Sequence, residues 1–341
     1  MLKRKLICAV AHSLGSIFLN ISDVSSIHPI RSRTLITDSF FNNSYVIDGP
    51  GGSIAVSSYA QLDVQRCRFF SGEASSGGAI DVSDSQVNIA ESEMKLNHGR
   101  LSGGAIACRG ASDVSLTDTL IHQCHAPFGG AASLLDSSAL IVTNVTMLRN
   151  VARSFPETST LTDALYGGGA ITVSSPSVNV RVFKSRFESN DALFSYGGAL
   201  AVSLGSVLLS ETLLLNNSAK ISGGGVFALG ASVILDRCVF DANSAEQGGG
   251  LYRTSLTQQV SLDLNVTGCL FQNNTAAQTG GGIDLSAGAV SGASVFVSDT
   301  IFFNNRATHG GGLNVGDQLS THLSNVSFQQ NRAVSTLTSP V

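Results

Sequence analysis

The chain has 341 residues and a formal net charge of −4 at pH 7, and only 13% of its residues are charged. It contains 36 glycines and no tryptophan, and small and β-branched residues dominate, which is typical of strands joined by tight turns. The basic run Lys3–Lys5 is too short to attract a phosphate backbone, so we expect no nucleic-acid partner.

Residues 1–34 form a leader that precedes the regular part of the sequence. Its apolar stretch, Leu6–Ile21, is interrupted by polar residues and glycine and is therefore too polar to span a bilayer. Two interpretations stay open. The leader is either a weak secretion signal or a degenerate first turn of the repeat domain, because GSIFLN at Gly15 resembles GGSIAV at Gly51.

Clusters of glycine recur along the chain at intervals of about 26 residues, which indicates an internal repeat. A small residue and an aliphatic residue follow each cluster, as in Ala199-Leu200, and this pattern predicts a turn and then a strand. Glycine takes backbone conformations that a side chain forbids. We therefore expect the tightest corners at the repeated glycines, represented by Gly197, Gly224, Gly249, Gly281 and Gly311.

A second motif, Phe-x-x-Asn, precedes most of the glycine clusters. Aliphatic residues stand five and seven positions before the Phe, and the residue between them is usually polar, which indicates a strand with one buried face. Just before the Phe, the alternation of buried and exposed positions shifts by one residue, and this shift predicts a corner. The perfect copies are Phe187/Asn190, Phe240/Asn243, Phe271/Asn274, Phe302/Asn305 and Phe328/Asn331.

Short strands and corners that repeat with the same side chains predict an all-β fold, a single right-handed parallel β-helix over residues 35–334. Each turn of chain, called a rung here, would lie about 4.8 Å from the previous rung, so that Phe fills the interior and Asn forms a hydrogen-bonded ladder. We expect three strand faces per rung and about 10–11 rungs of roughly 26 residues. An inserted loop near 151–166 is the expected recognition element, and residues 335–341 form a tail.

Two segments carry both motifs together, Ser185–Leu200 (SRFESNDALFSYGGAL) and Cys269–Ile283 (CLFQNNTAAQTGGGI). In this combination the chain resembles the polymorphic outer membrane protein (Pmp) repeats of chlamydial autotransporters, with their GGAI and FxxN signature. The resemblance implies a secreted, surface-displayed, pectin-lyase-like right-handed β-helix that serves in adhesion. The C-terminal barrel strands of a complete autotransporter are lacking, so we expect a fragment or a different anchor.

Glycoside cleavage on such a scaffold would need two carboxylates a few ångströms apart. Glu91 and Asp118 are adjacent in the column three residues before the Phe, but that column has mixed charges and is interpreted as a solvated, self-neutralising edge. Asp81 and Asp284 share an outward column but lie many rungs apart. His309 precedes repeat glycines without the aspartate motifs of polygalacturonases. We therefore predict no catalytic residue.

Three residues are candidates for a ligand-binding face. Phe227 and Tyr252 are adjacent in the outward column that follows the glycines, where they form either a platform for a sugar or a packing pair beneath a loop. Arg253 occupies a position that is aliphatic in most rungs, as at Val202 and Leu285. We expect a local irregularity there that turns the Arg253 side chain outward.

The six cysteines form no C-x-x-C pair and no Cys/His cluster, so we expect no metal site and no cofactor. Cys238 and Cys269 share an inward column one rung apart. Buried thiols in a ladder of Ser, Thr and Cys are the simpler interpretation, and a disulfide is the alternative.

These observations favour a non-enzymatic protein of the extracellular space or cell surface, in the outer membrane if bacterial, that acts as an adhesin or a structural display rod. Its partner would be a host surface or a glycan, and the chain would continue into, or be anchored through, a further segment. The alternatives are a carbohydrate-active β-helix, lyase or hydrolase, with its site in irregular loops, and an architectural fragment of a longer surface protein.

Overall fold

The computed structural model describes residues 8–9, 26–27, 32–136, 139–153, 167–255, 264–286, 294–316 and 319–334. Within these ranges the chain is all-β and has no helix. Four parallel sheets stack as a solenoid of about 10 turns with roughly 27 residues per rung. The predicted all-β parallel solenoid is confirmed, and the right hand of the coil stays a prediction that follows from the usual hand of parallel crossovers.

Each full rung adds one strand to each sheet, in the order sheet 1, sheet 2, sheet 3 and sheet 4. The sequence predicted three strand faces, and the structure has four. Sheet 4 was missed because six of its ten described strands contain only two residues, as in Ser218–Ala219. So short a strand shows no periodic pattern.

The strands have the following bounds. Sheet 1 contains Cys8–Ala9, Ser26–Ile27, Ile54–Val56, Ile80–Ser83, Ile106–Arg109, Ala132–Leu135, Ile171–Ser174, Leu200–Ser203, Val226–Leu229, Leu251–Thr254, Ile283–Leu285 and Leu313–Val315. Sheet 2 contains Arg33–Thr37, Gln61–Gln65, Gln86–Ala90, Asp113–Thr117, Ala139–Thr143, Asn179–Phe183, Ser206–Ser210, Ser232–Asp236, Leu264–Thr267, Ser294–Ser298 and Ser320–Ser324. Sheet 3 contains Phe40–Asn42, Arg68–Phe70, Glu93–Lys95, Leu120–His122, Thr146–Leu148, Arg186–Glu188, Leu213–Leu215, Val239–Asp241, Leu270–Gln272, Ile301–Phe303 and Ser327–Gln329. Sheet 4 contains Glu73–Ser76, His98–Ser102, His125–Ala126, Val151–Ala152, Asp191–Ala192, Ser218–Ala219, Ser244–Gln247, Thr275–Thr279, Arg306–Ala307 and Arg332–Ala333.

Equivalent residues of successive rungs lie opposite each other and form columns. In sheet 3, Phe240 pairs with Phe271, and Phe271 pairs with Phe302. The ring centroids are 4.5 Å and 5.2 Å apart, and the rings are nearly parallel. All three rings are fully buried, so this column is part of the core. In sheet 2, Val233 and Leu235 are buried while Ile234 between them is 41% exposed, as the alternating pattern predicts.

At two corners of the rung the residue in the left-handed backbone region carries a side chain, except at Gly268 in the first corner. The first corner joins sheet 2 to sheet 3, as at Glu91 with φ +50°, and the second follows sheet 3, as at Leu96 with φ +57°. Such a conformation costs about 1–2 kcal/mol for a residue with a side chain. The side chain of the residue that follows the left-handed one offsets this cost by hydrogen-bonding to the backbone of the previous rung. Ser92 Oγ accepts the backbone N–H of Cys67 at 3.1 Å, and Asn97 Oδ1 accepts that of Gly72 at 2.9 Å.

The third corner holds the glycines, which serve two different purposes. Gly197 has φ +67°, and a Cβ there would lie 2.2 Å from Leu200 O, so no side chain fits. A Cβ on Gly198 would instead lie 2.1 Å from Gly224 O in the next rung. Close contact with the next rung, without a left-handed φ, also excludes a side chain at Gly224, Gly249, Gly281 and Gly311.

The glycine corner folds back over the start of sheet 1 and covers most of the column that the sequence predicted to face outward. A Cβ on Gly280 would lie 2.4 Å from Asp284 Cβ, and one on Gly248 would lie 2.6 Å from Tyr252 Cβ. Asp284 is 0% exposed and Asp81 is 1% exposed. The column lies outside the main core, as the alternation predicts, but these carboxylates are shielded from solvent because the glycine corner covers them.

The ends and the insertion are only partly described. Ile27, in the predicted leader, pairs with Ile54 at the start of sheet 1. Val151–Ala152, the beginning of the predicted insertion, is a strand of sheet 4. Residues 154–166 of that insertion and the tail at 335–341 lie outside the described residues, so the loop stays a prediction.

Candidate functional site in the corner grooves

Grooves run along the outside of the solenoid at the first and second corners. The left-handed residue lies at the surface, the next residue enters the interior, and the one after it lies at the surface again. Arg66, Cys67 and Arg68 show this arrangement, since Cys67 is 0% exposed and both arginine side chains are about half exposed or more. Two outward columns thus flank a shallow channel, called the first-corner groove or the second-corner groove here.

Near the N-terminal end the first-corner groove has a volume of about 770 Å³. One side presents Arg66, Glu91, Asp118 and Asn144, and the groove also contains Leu120. The full lining is Arg66, Cys67, Arg68, Glu91, Ser92, Glu93, Asp118, Thr119, Leu120, Asn144 and Thr146. The groove is therefore lined by positively charged, negatively charged and neutral polar side chains, which together offer hydrogen-bond donors and acceptors.

Charges in this groove neutralise one another across rungs. Arg66 donates from Nε and Nη2 to the two carboxylate oxygens of Asp38, at 2.7 Å and 2.9 Å. This hydrogen-bonded pairing with the guanidinium holds the pKa of Asp38 below its usual range. Glu93 lies 2.9 Å from His122 Nε2 and 3.8 Å from Arg68 Nε. Exposed pairs of this kind contribute little stability but order the side chains along the groove.

Glu91 and Asp118, the carboxylate pair singled out from the sequence, line the same groove. Asn144 donates its side-chain amide to Asp118 Oδ1. The pair therefore lies between Arg66 on one side and Asn144 on the other. This is the arrangement expected for a solvated edge that balances its own charge, and it can hydrogen-bond to a polar polymer laid along the rod.

In the last rungs the second-corner groove has a volume of about 290 Å³ and is lined by Asn273, Thr275, Asn304, Asn305, Arg306 and Arg332. Asn304 Nδ2 donates to Asn273 Oδ1 at 2.8 Å, and Asn273 Nδ2 donates to Asp241 Oδ1 at 2.9 Å. Every lining side chain is polar, so the groove suits a hydrophilic ligand.

The repeat asparagines form a ladder that binds each rung to the next. The Nδ2 of Asn190, Asn217, Asn243 and Asn274 each donates to Oδ1 of the next asparagine in the column, at 3.0 Å or 2.9 Å. Each of these asparagines is 0% exposed. The ladder continues through Asn305 to Asn331. Phe187, Phe240, Phe271 and Phe302 are buried beside it, whereas Phe328 is 45% exposed.

The three candidates for a ligand face do not form an open platform. Phe227 is 2% exposed and belongs to a small apolar cluster outside the main core. Its ring stacks with Tyr252 at a centroid distance of 5.7 Å and contacts the tilted ring of Tyr196 at 4.5 Å. Arg253 is 3% exposed and does not turn outward as expected. Its strand keeps register with Ala228 and Leu285, so the position stays inside the coil.

Two buried carboxylates lie beneath the glycine corners. Arg109 Nη2 is 2.7 Å from Asp81 Oδ1, while Asp81 Oδ2 has no hydrogen-bond partner. Burial raises the pKa of Asp81 to about 7 even though Arg109 opposes the shift. Asp284 accepts hydrogen bonds from Asn314 at 2.8 Å and from Thr279, and burial raises its pKa. The two carboxyl groups are on distant rungs and act separately.

The cysteines Cys67, Cys108, Cys124, Cys238 and Cys269 are free and buried. Cys269 Sγ accepts the backbone N–H of Cys238 at 3.3 Å, and Thr300 Oγ1 accepts that of Cys269 at the same distance. Cysteine thus occupies ladder positions that serine and threonine fill in other rungs. In the structure this pair is a thiol ladder and not the alternative disulfide.

No group of three or more His, Cys, Asp or Glu side chains in the described ranges could hold a metal ion. No helix of the described residues is long and apolar enough to cross a membrane. His309 is exposed, and its backbone N–H donates to Gln278 O in the neighbouring rung.

Residues 268–286 match the Chlamydia polymorphic membrane protein (Chlamydia_PMP) repeat. This segment contains Phe271, Asn274 and the glycines 280–282, which build the core, the ladder and the third corner described above. No curated protein and no solved structure matches the chain. The repeat match and the parallel solenoid fit the predicted resemblance to Pmp repeats, and they indicate an outer-membrane or surface type of protein.

The arginines of the second-corner groove were not predicted from the sequence. In two successive repeats, FFNNR and FQQNR, an arginine follows the ladder asparagine, at Arg306 and Arg332. The strand alignment places these two residues opposite each other. Reading the column one residue after the asparagine would have found them, as the same procedure found Glu91 and Asp118.

Proposed function

We propose that the chain is a non-enzymatic, adhesin-like rod of the extracellular space or cell surface, which binds a host-surface or glycan ligand along its corner grooves. One observation carries the proposal: the buried polar side chains of the Asn ladder bind rung to rung, while chemically varied side chains are presented in the grooves. Rigid parallel stacking keeps groove positions at a spacing of about 4.8 Å, which suits a repetitive polymer.

The location at the surface, and at the outer membrane in a bacterium, is supported by the match to the Chlamydia polymorphic membrane protein repeat. A solenoid with a continuous hydrophobic interior is suited to act as a spacer, because each rung extends the rod without changing its cross-section. Binding elements on the outside of such a rod are held in fixed positions. This geometry favours adhesion or display over catalysis.

A binding array of glycans and host-matrix proteins tests the proposal directly. The full chain should bind a restricted set of array components, and an assay for reducing sugar on the bound glycans should detect no release. Binding to no component would contradict the adhesin role. Turnover of any bound glycan would contradict the non-enzymatic role.

The runner-up is a carbohydrate-active enzyme, lyase or hydrolase. The observation that favours it is the presence of Glu91, Glu93 and Asp118 in one groove beside Arg66 and Arg68, since glycoside hydrolysis needs two neighbouring carboxyl groups. If this candidate is correct, Glu91→Gln and Asp118→Asn should abolish sugar release while binding persists. Under the leading proposal there is no release to abolish.

A further inference from the structure

Arg306 and Arg332 lie directly opposite each other on adjacent strands of sheet 4. Their pairing is parallel and in register, and Ala307 pairs with Ala333 in the same way. Because neighbouring strands are about 4.8 Å apart, the two side chains leave the sheet as close neighbours on its outer face. Like charges that face each other across strands are destabilising. The repulsion between the two guanidinium groups is relieved when an anion lies between them.

Protein carboxylates do not supply that anion in the described part of the chain. Arg306 and Arg332 have no ion pair there, whereas Arg33, Arg66, Arg68, Arg100, Arg109, Arg186 and Arg237 each lie within 4.0 Å of an Asp or Glu oxygen. In the same rungs, Asp284 is buried beneath the glycines and Asp299 accepts the amide of Asn325 at the first corner. The six residues that line the groove include no acid.

Neutral hydrogen-bond donors complete the groove. Thr275 occupies the same column as Arg306 one rung earlier, and within the described ranges no hydrogen bond engages its exposed hydroxyl. The Asn304 amide donates to Asn273, which in turn donates to Asp241, so both amides are held in place. A guanidinium offers up to five N–H donors in a planar fork that matches the oxygens of a tetrahedral oxyanion.

We propose that Arg306 and Arg332, with Thr275, form a binding site for a sulfate-type oxyanion and that the anion is carried as a sulfate ester on an acidic glycan. The groove is open, both arginines are exposed, and the bound group can therefore remain attached to a polymer that runs along the rod. The same donors accept a free inorganic sulfate or phosphate ion, so the experiment has to separate the two sources. The inference rests on the proposed adhesin role and names its ligand class.

The test measures binding of the full chain to heparin, to chemically desulfated heparin and to inorganic sulfate, between about 50 and 300 mM salt. The variants are Arg306→Gln, Arg332→Gln and the double variant. Arg181→Gln is the matched control, because it removes one charge from an exposed arginine of sheet 2 outside this groove. Circular dichroism establishes that all variants keep the β-fold.

The expected result is that the wild type prefers heparin to its desulfated form. The double variant should lose at least about tenfold in affinity, and each single arginine variant should reduce the slope of log affinity against log salt by about one. Arg181→Gln should stay within about twofold of wild type. Unchanged heparin affinity in the double variant, or equal binding of desulfated heparin, overturns the site. Sulfate binding without heparin binding overturns the glycan carrier.

The proposed adhesin role is tested separately by the binding array. If the double variant keeps every array signal of the wild type, the anion site is wrong and the adhesin role stands. If neither protein binds any array component, the adhesin role itself fails.

Discussion

The Asn ladder predicts a large and local stability effect for Asn243→Ala. The side chain makes four hydrogen bonds, all within the buried interior. Its Nδ2 donates to Leu214 O at 2.8 Å and to Asn274 Oδ1 at 3.0 Å, and its Oδ1 accepts from the backbone N–H and Nδ2 of Asn217, both at 3.0 Å. At a net value of about 1 kcal/mol per bond, and with buried groups left unsatisfied, we expect a loss of about 3–5 kcal/mol.

Asn88→Ala is the matched control. Asn88 lies on the exposed face of sheet 2 and donates to Asp63 at 2.8 Å, so its removal should cost no more than about 0.5–1 kcal/mol. Urea denaturation measures the free energy of unfolding for both variants. Native-state hydrogen exchange then localises the effect, because the amide of Asn217 loses its acceptor in Asn243→Ala. Equal costs for the two variants, or unchanged exchange at Asn217, would refute a stabilising role for the ladder.

Three further effects follow from the structure. In Gly249→Ala, the new Cβ would lie 2.5 Å from Gly281 O in the next rung, so denaturation should show that the free energy of unfolding falls by about 2–4 kcal/mol or more. Gly268→Ala is the control. Its Cβ would approach the Arg237 side chain at 3.3 Å in a left-handed corner, so the free energy of unfolding should fall by only about 1–2 kcal/mol. Because burial raises the folded-state pKa of Asp81 to about 7, the wild type should lose up to about 4 kcal/mol of its free energy of unfolding as pH rises from about 4 to 7. Denaturation measured across this pH range should show a smaller loss for Asp81→Asn. Burial raises the pKa of Cys124 to about 12, so mass spectrometry should detect its alkylation at pH 8 only after unfolding, and labelling of the native protein would contradict the buried position.

Stacking explains why so much of the fold could be predicted from the sequence. A column such as Phe240, Phe271 and Phe302 imposes the same spatial requirement on every rung, so the same residue type recurs and the period becomes visible. The same logic predicted the buried asparagines and the charged first corner with Glu91 and Asp118.

What the sequence could not predict depends on contacts outside these columns. The fold-back of Gly280 over Asp284 shields from solvent a column position that a simple alternation leaves exposed. Arg253 breaks the aliphatic pattern, and only the register with Ala228 and Leu285 shows that it stays inside. The arginine pair of the second-corner groove was visible as a motif, but whether an acid of the described residues pairs with it depends on the positions of all neighbouring charges.

The hydrogen bonds of the Asn ladder join each rung only to its immediate neighbours, and this locality has an evolutionary consequence. A gene can gain or lose a whole repeat unit by unequal recombination, and the junction then joins two surfaces that already fit. The reach of the molecule would change in steps of about 4.8 Å, while the grooves on either side of the junction keep their own chemistry. Length and ligand preference can therefore diverge independently among descendants of one ancestral rod.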